Sequence, residues 1–247
     1  MSLTKWLLPF ALTAAISAQS PPAPAFEVAS VKTSPPGQAG GGWAGRGSQL
    51  IIQNDALRTI ILGAYEVRSY QLAGGPEWID TERFDIVARA PDGVPRSIAM
   101  LRTLLIDRFR LKTHTETRQI PVYNLVLARD DRRLGPQLRR STLDCAVTRC
   151  TASVVSGKIQ TNGYSMAHVA QLLTGNIDRM VLDRTGLTGV YDLELVWTPD
   201  DRAADVVTRD APALFTAVVE QLGLKLEPAI GPVDVLVIDS VERPKEN

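Results

Sequence analysis

Apolar residues recur at two spacings along this chain, and each spacing predicts a different secondary structure. SQLIIQN (48–54), with its β-branched apolar residues, predicts a strand, and RFDIVARAP (83–91), in which Phe84, Ile86 and Ala88 fall on one face, predicts another. After each of these stretches the apolar spacing changes to three and four residues, which predicts a helix. The first helix carries Leu57, Ile60, Ile61 and Ala64, and the second carries Ile98, Leu101, Leu104, Leu105 and Phe109.

The same succession of patterns occurs a second time. LRTLLIDRFRLK (101–112) aligns without a gap with LFTAVVEQLGLK (214–225), and both lie at the same place in the succession. RLKTHTETR (110–118) and IPVYNLVLAR (120–129) predict two strands joined by a tight connection. We therefore expect an α+β protein built from two similar β-α-β-β-α-β-β units, with helices packed on mostly antiparallel sheets.

This repetition divides the chain into five segments. Residues 1–18 are expected to be a signal peptide, and residues 19–48 a leader strand followed by a Pro/Gly-rich loop. The first repeat unit spans 49–130, and the second spans 157–247. Between them, residues 131–156 form a linker that contains both cysteines.

The N-terminus has the three parts of a secretory signal. Lys5 precedes an apolar run from Trp6 to Ile16, and small residues follow at Ser17 and Ala18. The run is shorter than the roughly 20 apolar residues that a membrane-spanning helix needs. A buried N-terminal helix is the other interpretation. We expect an exported protein, periplasmic or extracellular, with no membrane span in the mature chain.

Composition excludes one large class of partners. The 247 residues include 27 Lys and Arg against 27 Asp and Glu, so no net field favours nucleic acid or an anionic membrane. The most basic stretch, RDDRRLGPQLRRS (129–141), contains Asp130 and Asp131 and is broken by Gly135 and Pro136. This pattern is typical of a solvated loop. No nucleic-acid partner is expected.

Two cysteines, Cys145 and Cys150, lie close together in DCAVTRC. An even, closely spaced pair in an exported chain predicts a disulfide. The pair has no neighbouring histidine or second cysteine pair with which to complete a zinc site. A bond across so short a loop would shape the loop more than it would stabilise the whole protein.

Paired carboxylates are the candidate catalytic groups. Asp85 and Asp192 occupy matching positions in the two repeats, and Glu194 lies near the second. Two carboxylates facing each other could cleave a glycosidic bond. However, each aspartate follows an aromatic residue in an alternating strand, where the polar residue normally faces water. The alternation favours solvated side chains over an acid pair.

Metal and cofactor signals are weaker still. The chain has two histidines, His114 and His168, and Glu116 lies two residues from the first. A metal site using both histidines would also need a carboxylate placed in space, so ordinary surface histidines are the favoured interpretation. GGGWAG (40–45) matches G-x-G-x-x-G but lacks the strand before it and the helix after it. No cofactor and no metal are expected.

Several motifs together resemble one known family. FEVASVK (26–32), RFDIVARA (83–90), VLDRTGLTGVYDLELVWTPD (181–200) and VIDSVERPKEN (237–247) are similar to an uncharacterised family of secreted proteins. That family is expanded in soil acidobacteria of the Solibacter type, and it has no assigned activity. Some members are joined to membrane metallopeptidases. The resemblance thus implies export but supplies no catalytic residues.

These observations favour an exported, non-enzymatic binding or interaction module in the cell envelope or outside the cell. Its expected partner is an envelope protein or a glycan, met through an edge strand or a groove of the sheet. One alternative is a carboxylate-based hydrolase that acts on polysaccharide through Asp85 and Asp192. The other is a sensory partner of a membrane metallopeptidase.

Overall fold

The structure, a computed structural model, describes residues 23–143, 149–199 and 211–245. These ranges contain five α-helices and twelve strands in three mostly antiparallel sheets, which confirms the predicted α+β class. The strands are β1 Val28–Thr33, β2 Gly42–Ala44, β3 Gln49–Ala56, β4 Leu72–Gly74, β5 Arg83–Arg89, β6 Lys112–Leu127, β7 Leu138–Arg140, β8 Thr151–Val155, β9 Lys158–Tyr164, β10 Val181–Asp183, β11 Tyr191–Val196 and β12 Leu224–Ser240. The helices are α1 Leu57–Tyr65, α2 Trp78–Thr81, α3 Ile98–Phe109, α4 Met166–Thr174 and α5 Leu214–Leu222.

The chain divides into two compact units. The first contains Met1–Tyr65, Glu77–Leu111 and Glu242–Asn247, and the second contains Glu66–Pro76 and Lys112–Val241. The short strand β4 and the long strands β6 and β12 therefore belong to the second unit. The compact units do not coincide with the sequence repeats, because β4 and β6 come from the first repeat.

The first unit is one antiparallel sheet with helices on one face. Its strand order is β1-β5-β3-β2. Along β5, Phe84, Ile86 and Ala88 are buried and the residues between them are more exposed, as the alternation predicts. Phe84 meets Phe109 of α3 edge to face, with ring centroids 5.2 Å apart. The helices therefore cover the apolar face of the sheet.

The second unit contains two sheets, with strand orders β10-β6-β12-β4 and β7-β11-β9-β8. One apolar cluster joins them to α4 and α5. It includes Leu195 of β11, Val169 of α4, Val218 of α5 and Leu224 of β12, all fully or almost fully buried. Both amphipathic helices thus bury their apolar stripe in this cluster, as their spacing predicts.

Strand pairing explains why the chain repeats itself. The sheets β1-β5-β3-β2 and β7-β11-β9-β8 have the same order of corresponding strands. In the third sheet, the parallel pairing of β12 with β4 begins at Leu236 of β12. The parallel pairing of β6 with β10 begins at Tyr123 of β6. The ungapped alignment of Leu101 with Leu214 also aligns Tyr123 with Leu236. Corresponding residues of the two repeats thus receive corresponding partners.

The structural repeat is wider than the predicted one. The segment 19–48 contains β1 and also β2, which lies where we expected only a Pro/Gly-rich loop after the leader strand. The segment 131–156, predicted to be a linker, contains β7 and β8. These four strands hold equivalent positions in the two sheets, so each repeat supplies six strands.

The two strands predicted over 110–129 are one continuous strand, β6, which pairs with β12 along almost its whole length. The prediction of a turn before Pro121 is therefore wrong. Tyr123 donates its N–H to the carbonyl of Met180, on the side away from β12. Pro121 lies two residues before Tyr123, so its backbone nitrogen also points away from β12. Pro228 and Pro232 of β12 likewise lie in strand pairs that exchange no hydrogen bonds. The three prolines therefore remove no hydrogen bond between β6 and β12.

Candidate functional site

Asp85 lies on β5 and holds a bulge of the neighbouring strand. The pairing of β3 with β5 shifts register between Ile52 and Asp55, and Asn54 has a left-handed backbone with φ of 48°. The Asn54 N–H donates to Oδ1 of Asp85 at 2.8 Å, and the Ser34 hydroxyl donates to the same oxygen at 2.9 Å. The carboxylate thus satisfies two polar groups where β3 leads into α1.

Asp192 on β11 likewise accepts a hydrogen bond from a bulge in the neighbouring strand. Gly163 of β9 has φ of 78°, and its N–H donates to Oδ1 of Asp192 at 3.0 Å. Here too the strand pairing shifts register, between Tyr191 and Leu193. The other carboxylate oxygen, Oδ2, lies 3.5 Å from Nε of Arg139. A carboxylate therefore holds the bulge before α4, as another does before α1.

These contacts give each candidate acid a structural role inside its own compact unit. A bulge needs a hydrogen-bond acceptor, whereas a catalytic acid or base must meet a substrate. Glu194, the third carboxylate of the hypothesis, pairs with Lys158, whose Nζ lies 3.0 Å from Oε1. The contacts favour structural roles for Asp85 and Asp192, and the catalytic pair stays a hypothesis.

The two histidines have partners close to them in their own elements or in the neighbouring strand. Nδ1 of His114 lies 2.7 Å from Oδ1 of Asp239, and Nε2 lies 3.8 Å from Oε2 of Glu116. Nδ1 of His168 lies 2.9 Å from the hydroxyl of Ser165, the N-cap residue of α4. Within the described ranges, no group of three or more His, Cys, Asp or Glu could hold a metal ion.

Two predictions fall on residues outside the described ranges. The expected signal peptide spans residues 1–18, and the residues that the structure describes begin at 23. The predicted disulfide joins Cys145 to Cys150, and Cys145 also lies outside the described residues. Both stay predictions.

The sequence patterns did not single out Trp43, which is the central residue of β2. Its Nε1 donates to Oδ2 of Asp55 at 2.8 Å. Its ring lies against the backbone of Gly63 in α1, where an added methyl group would come within 2.6 Å of Cη2. The residue is 40% exposed. The sequence feature that could have identified Trp43 is a tryptophan between small residues in a stretch predicted to be a loop.

Trp43 borders a groove of about 330 Å³ between the β2–β3 hairpin and the first turn of α3. Leu50 and Leu101, which are almost fully buried, form its base, and Ile98 is partly exposed. Arg96 is the one charged residue that lines it. The groove therefore combines apolar side chains with one cation and the polar side chain of Ser97. The remaining lining residues are Ala44 and Gly45.

Strand β8 is an exposed edge. It pairs with β9 on one side, and all five of its residues, Thr-Ala-Ser-Val-Val, are exposed. The other described edge strands are short or charged: β2, β4, β7 and β10 have three residues each, and β1 contains Lys32. β7 also contains Arg139 and Arg140. Among these edges, β8 combines length with the absence of charge and proline.

Residues 58–241 match the model of a family described as protein of unknown function, DUF3738. This range covers most of the chain. The chain belongs to the DUF3738 family. The expected membership in an uncharacterised family is thereby confirmed. No curated protein and no solved structure is detectably similar to this DUF3738 protein.

The DUF3738 match begins inside α1 and ends just after β12. The β8 edge and Arg96 fall within it, and Trp43 precedes it. No helix in the described part of this DUF3738 protein has the length and apolar character needed to cross a membrane.

Proposed function

We propose that this DUF3738 protein is an exported, non-enzymatic binding module that takes an extended segment of another protein onto β8. The observation that supports the proposal is the exposed, uncharged edge of five residues. An edge strand presents a row of unpaired N–H and C=O groups, and proteins usually protect long edges with Lys or Pro. β8 carries neither, so its edge is open to strand addition.

The side chains of β8 indicate what the added segment would carry. Val154 lies opposite the buried Ile159 and faces the apolar side of the sheet. Val155 lies opposite Lys158 and faces the other side, as Ser153 does. An added strand would pack well against β8 if it carried apolar residues on the face of Val154 and small or β-branched residues on the face of Ser153 and Val155. Such a segment matches an uncharged edge.

Replacing Val154 and Val155 together by lysine is expected to reduce partner capture at least tenfold, or about 1.4 kcal/mol. Two ammonium groups on the edge would lose hydration when a strand covers them. Capture is measured in cells with a photo-cross-linking residue at position 153, followed by quantitative mass spectrometry of the complexes.

The matched control is Val28→Lys with Val87→Lys, on the sheet of the first unit. These valines are 64% and 47% exposed, against 46% and 56% for Val154 and Val155. The control should capture as much partner as the unaltered protein, with similar thermal unfolding midpoints for all variants. Undiminished capture by the β8 variant, or an equal loss in the control, would contradict strand addition at β8.

Export is tested by the location and the first residue of the protein made from its full sequence. We expect it outside the cytoplasm, with an N-terminus next to Ser17 or Ala18, or after the Ala23–Ala25 stretch, because small residues there suit signal peptidase. N-terminal mass spectrometry of cell fractions gives the answer. A cytoplasmic protein that keeps residues 1–18 would refute export.

The two alternative functions make different predictions. A polysaccharide hydrolase that uses Asp85 and Asp192 would lose hydrolysis when either becomes asparagine. A sensory partner would capture a membrane metallopeptidase through the cross-linker at position 153. The bulge contacts of the two aspartates favour the binding module over the hydrolase.

A further inference from the structure

We infer that two copies of this chain pair through β8, antiparallel and across a two-fold axis at Ser153, when no partner segment covers that edge. The pairing follows from the backbone groups that β8 exposes and from the order of its five residues. Competition between the second copy and a partner segment rests, in addition, on the proposed function.

The bonds of β11 show which backbone groups of β9 face β8. The Glu194 N–H donates to the carbonyl of Gln137, on the β7 side of β11. Val196 likewise bonds, through both its N–H and its carbonyl, to the side chain of Gln221 and not to β9. Gln160 lies opposite Glu194 in a pair without hydrogen bonds, so its backbone groups point toward β8.

The alternation of the ladder then identifies the free groups of β8. Ser153 lies opposite Gln160, so its N–H and carbonyl are bonded to β9. Hydrogen-bonded and non-hydrogen-bonded pairs alternate along an antiparallel pair of strands. Ala152 and Val154 therefore direct their N–H and carbonyl groups to the open edge, and within the described ranges no residue bonds to them there.

Two β8 strands in antiparallel orientation complement each other. With the axis at Ser153, Ala152 of one copy lies opposite Val154 of the other, and both such pairs are of the hydrogen-bonded type. Thr151 then lies opposite Val155 of the second copy. An axis at Ala152 or Val154 would leave part of the strand unpaired. The register centred on Ser153 therefore uses all five residues and all four backbone groups that each edge exposes.

The side chains of β8 also fit a second copy. The two Ser153 residues meet in a non-hydrogen-bonded pair, where side chains come closest, and both are small. Each Val155 lies beside a Thr151, and β-branched cross-strand pairs stabilise antiparallel sheets. Lys158 of the neighbouring strand is already paired with Glu194. A second copy thus meets no charge on β8 and no large side chain at the axis.

The pairing joins two four-stranded sheets edge to edge. A contact of five residues per copy is smaller than a standard stable interface, so the paired copies exchange readily with single ones. A partner segment that adds to β8 takes the same edge and releases the second copy. Pairing of copies thus keeps the edge covered until a partner is present.

Cysteine trapping with the purified mature protein tests this register. Ser153→Cys should form a disulfide between copies under mild oxidation, because a non-hydrogen-bonded pair has a Cα separation of about 4.5 Å, within disulfide range. Thr151→Cys, exposed on the same face, is the matched control. It should link on the order of tenfold more slowly, since its two copies lie beyond that range. Thr151→Cys combined with Val155→Cys should restore fast linking.

Non-reducing electrophoresis gives the linking rates, and mass spectrometry distinguishes the new disulfide from any that involves Cys145 or Cys150. Circular dichroism checks that each variant is folded. Fast linking of Ser153→Cys and of the double variant, with slow linking of Thr151→Cys alone, supports the pairing. Equal rates for the two single variants would indicate random collision and overturn the inference, as would the absence of a link at position 153.

This test is separate from that of the proposed function, because it uses one purified protein and no partner. A link at position 153 together with undiminished partner capture by the lysine variant of β8 would keep the pairing of copies and refute strand addition by a partner. A missing link together with lost capture in that variant would refute the pairing and keep the proposed function.

Discussion

Replacing Gly223 with alanine is expected to lower the free energy of unfolding of the second unit by about 3 kcal/mol or more. Gly223 follows α5 with φ of 67°, and a methyl group there would lie 2.5 Å from the N of Gly135 and 2.9 Å from the carbonyl oxygen of Arg133. Both are backbone atoms, so no rotamer change can relieve the contact. The loop also donates the Gly135 N–H to Leu222, a bond that any shift would stretch.

Gly93→Ala is the matched control for Gly223→Ala. Gly93 has a similar φ of 76°, but a methyl group there would meet nothing within 4 Å. Its cost should be limited to the left-handed backbone, roughly 1 kcal/mol. Urea unfolding followed by circular dichroism gives both values. Equal losses would show that backbone conformation, and not the close approach of Gly135, determines the stability at Gly223.

Asp85→Ala is expected to lower the free energy of unfolding by about 2–4 kcal/mol, because two hydrogen-bond donors lose their common acceptor. The Asn54 N–H and the Ser34 hydroxyl both donate to Oδ1, and Ser34 is only 8% exposed. Water cannot fully replace the carboxylate for a buried hydroxyl. Urea unfolding of the purified variant measures the loss.

Asp85→Asn separates the structural role from the catalytic one. The amide oxygen of asparagine can still accept both hydrogen bonds, so the loss of stability should be smaller, roughly 1 kcal/mol. A catalytic acid would instead lose its chemistry in the same variant. A screen of polysaccharide hydrolysis on both proteins decides between them. An activity that disappears in Asp85→Asn while stability is kept would establish a catalytic role for Asp85 and support the hydrolase, whereas a stability loss in Asp85→Ala without any hydrolysis in either protein would support the structural role alone.

Elements with a buried face could be predicted from sequence. The structure places α3 over Ile98–Phe109 and β5 over Arg83–Arg89, close to the patterns that indicated them. In both elements the buried residues are the ones that create the spacing. The repeat was visible for the same reason, since corresponding residues fill corresponding positions in the sheets.

Elements without a buried face could not be predicted in this way. All residues of β2 and β8 are exposed, so neither strand has an alternation of apolar and polar residues to detect. The turn expected before Pro121 failed for another reason. A proline normally interrupts a strand, but here its ring nitrogen faces away from β12, and only the pairing reveals that direction.

For the candidate functional residues, too, the sequence gives the positions and only the tertiary structure gives the contacts. The sequence places Asp85 and Asp192 at matching positions, but their acceptor role depends on bulges formed with residues about 30 positions away. Trp43 and Arg96 lie far apart in the chain and line the same groove only because β2 folds back on β3 near the start of α3.

By itself, the sequence determined the α+β class, the order of the main helices and strands and their repetition, because these follow from local spacing of residues that become buried. Only the tertiary structure decided which strands lie at an edge, which carboxylates hold bulges and which side chains border a groove. Those properties depend on pairings between distant segments, and a local pattern carries no information about its partner.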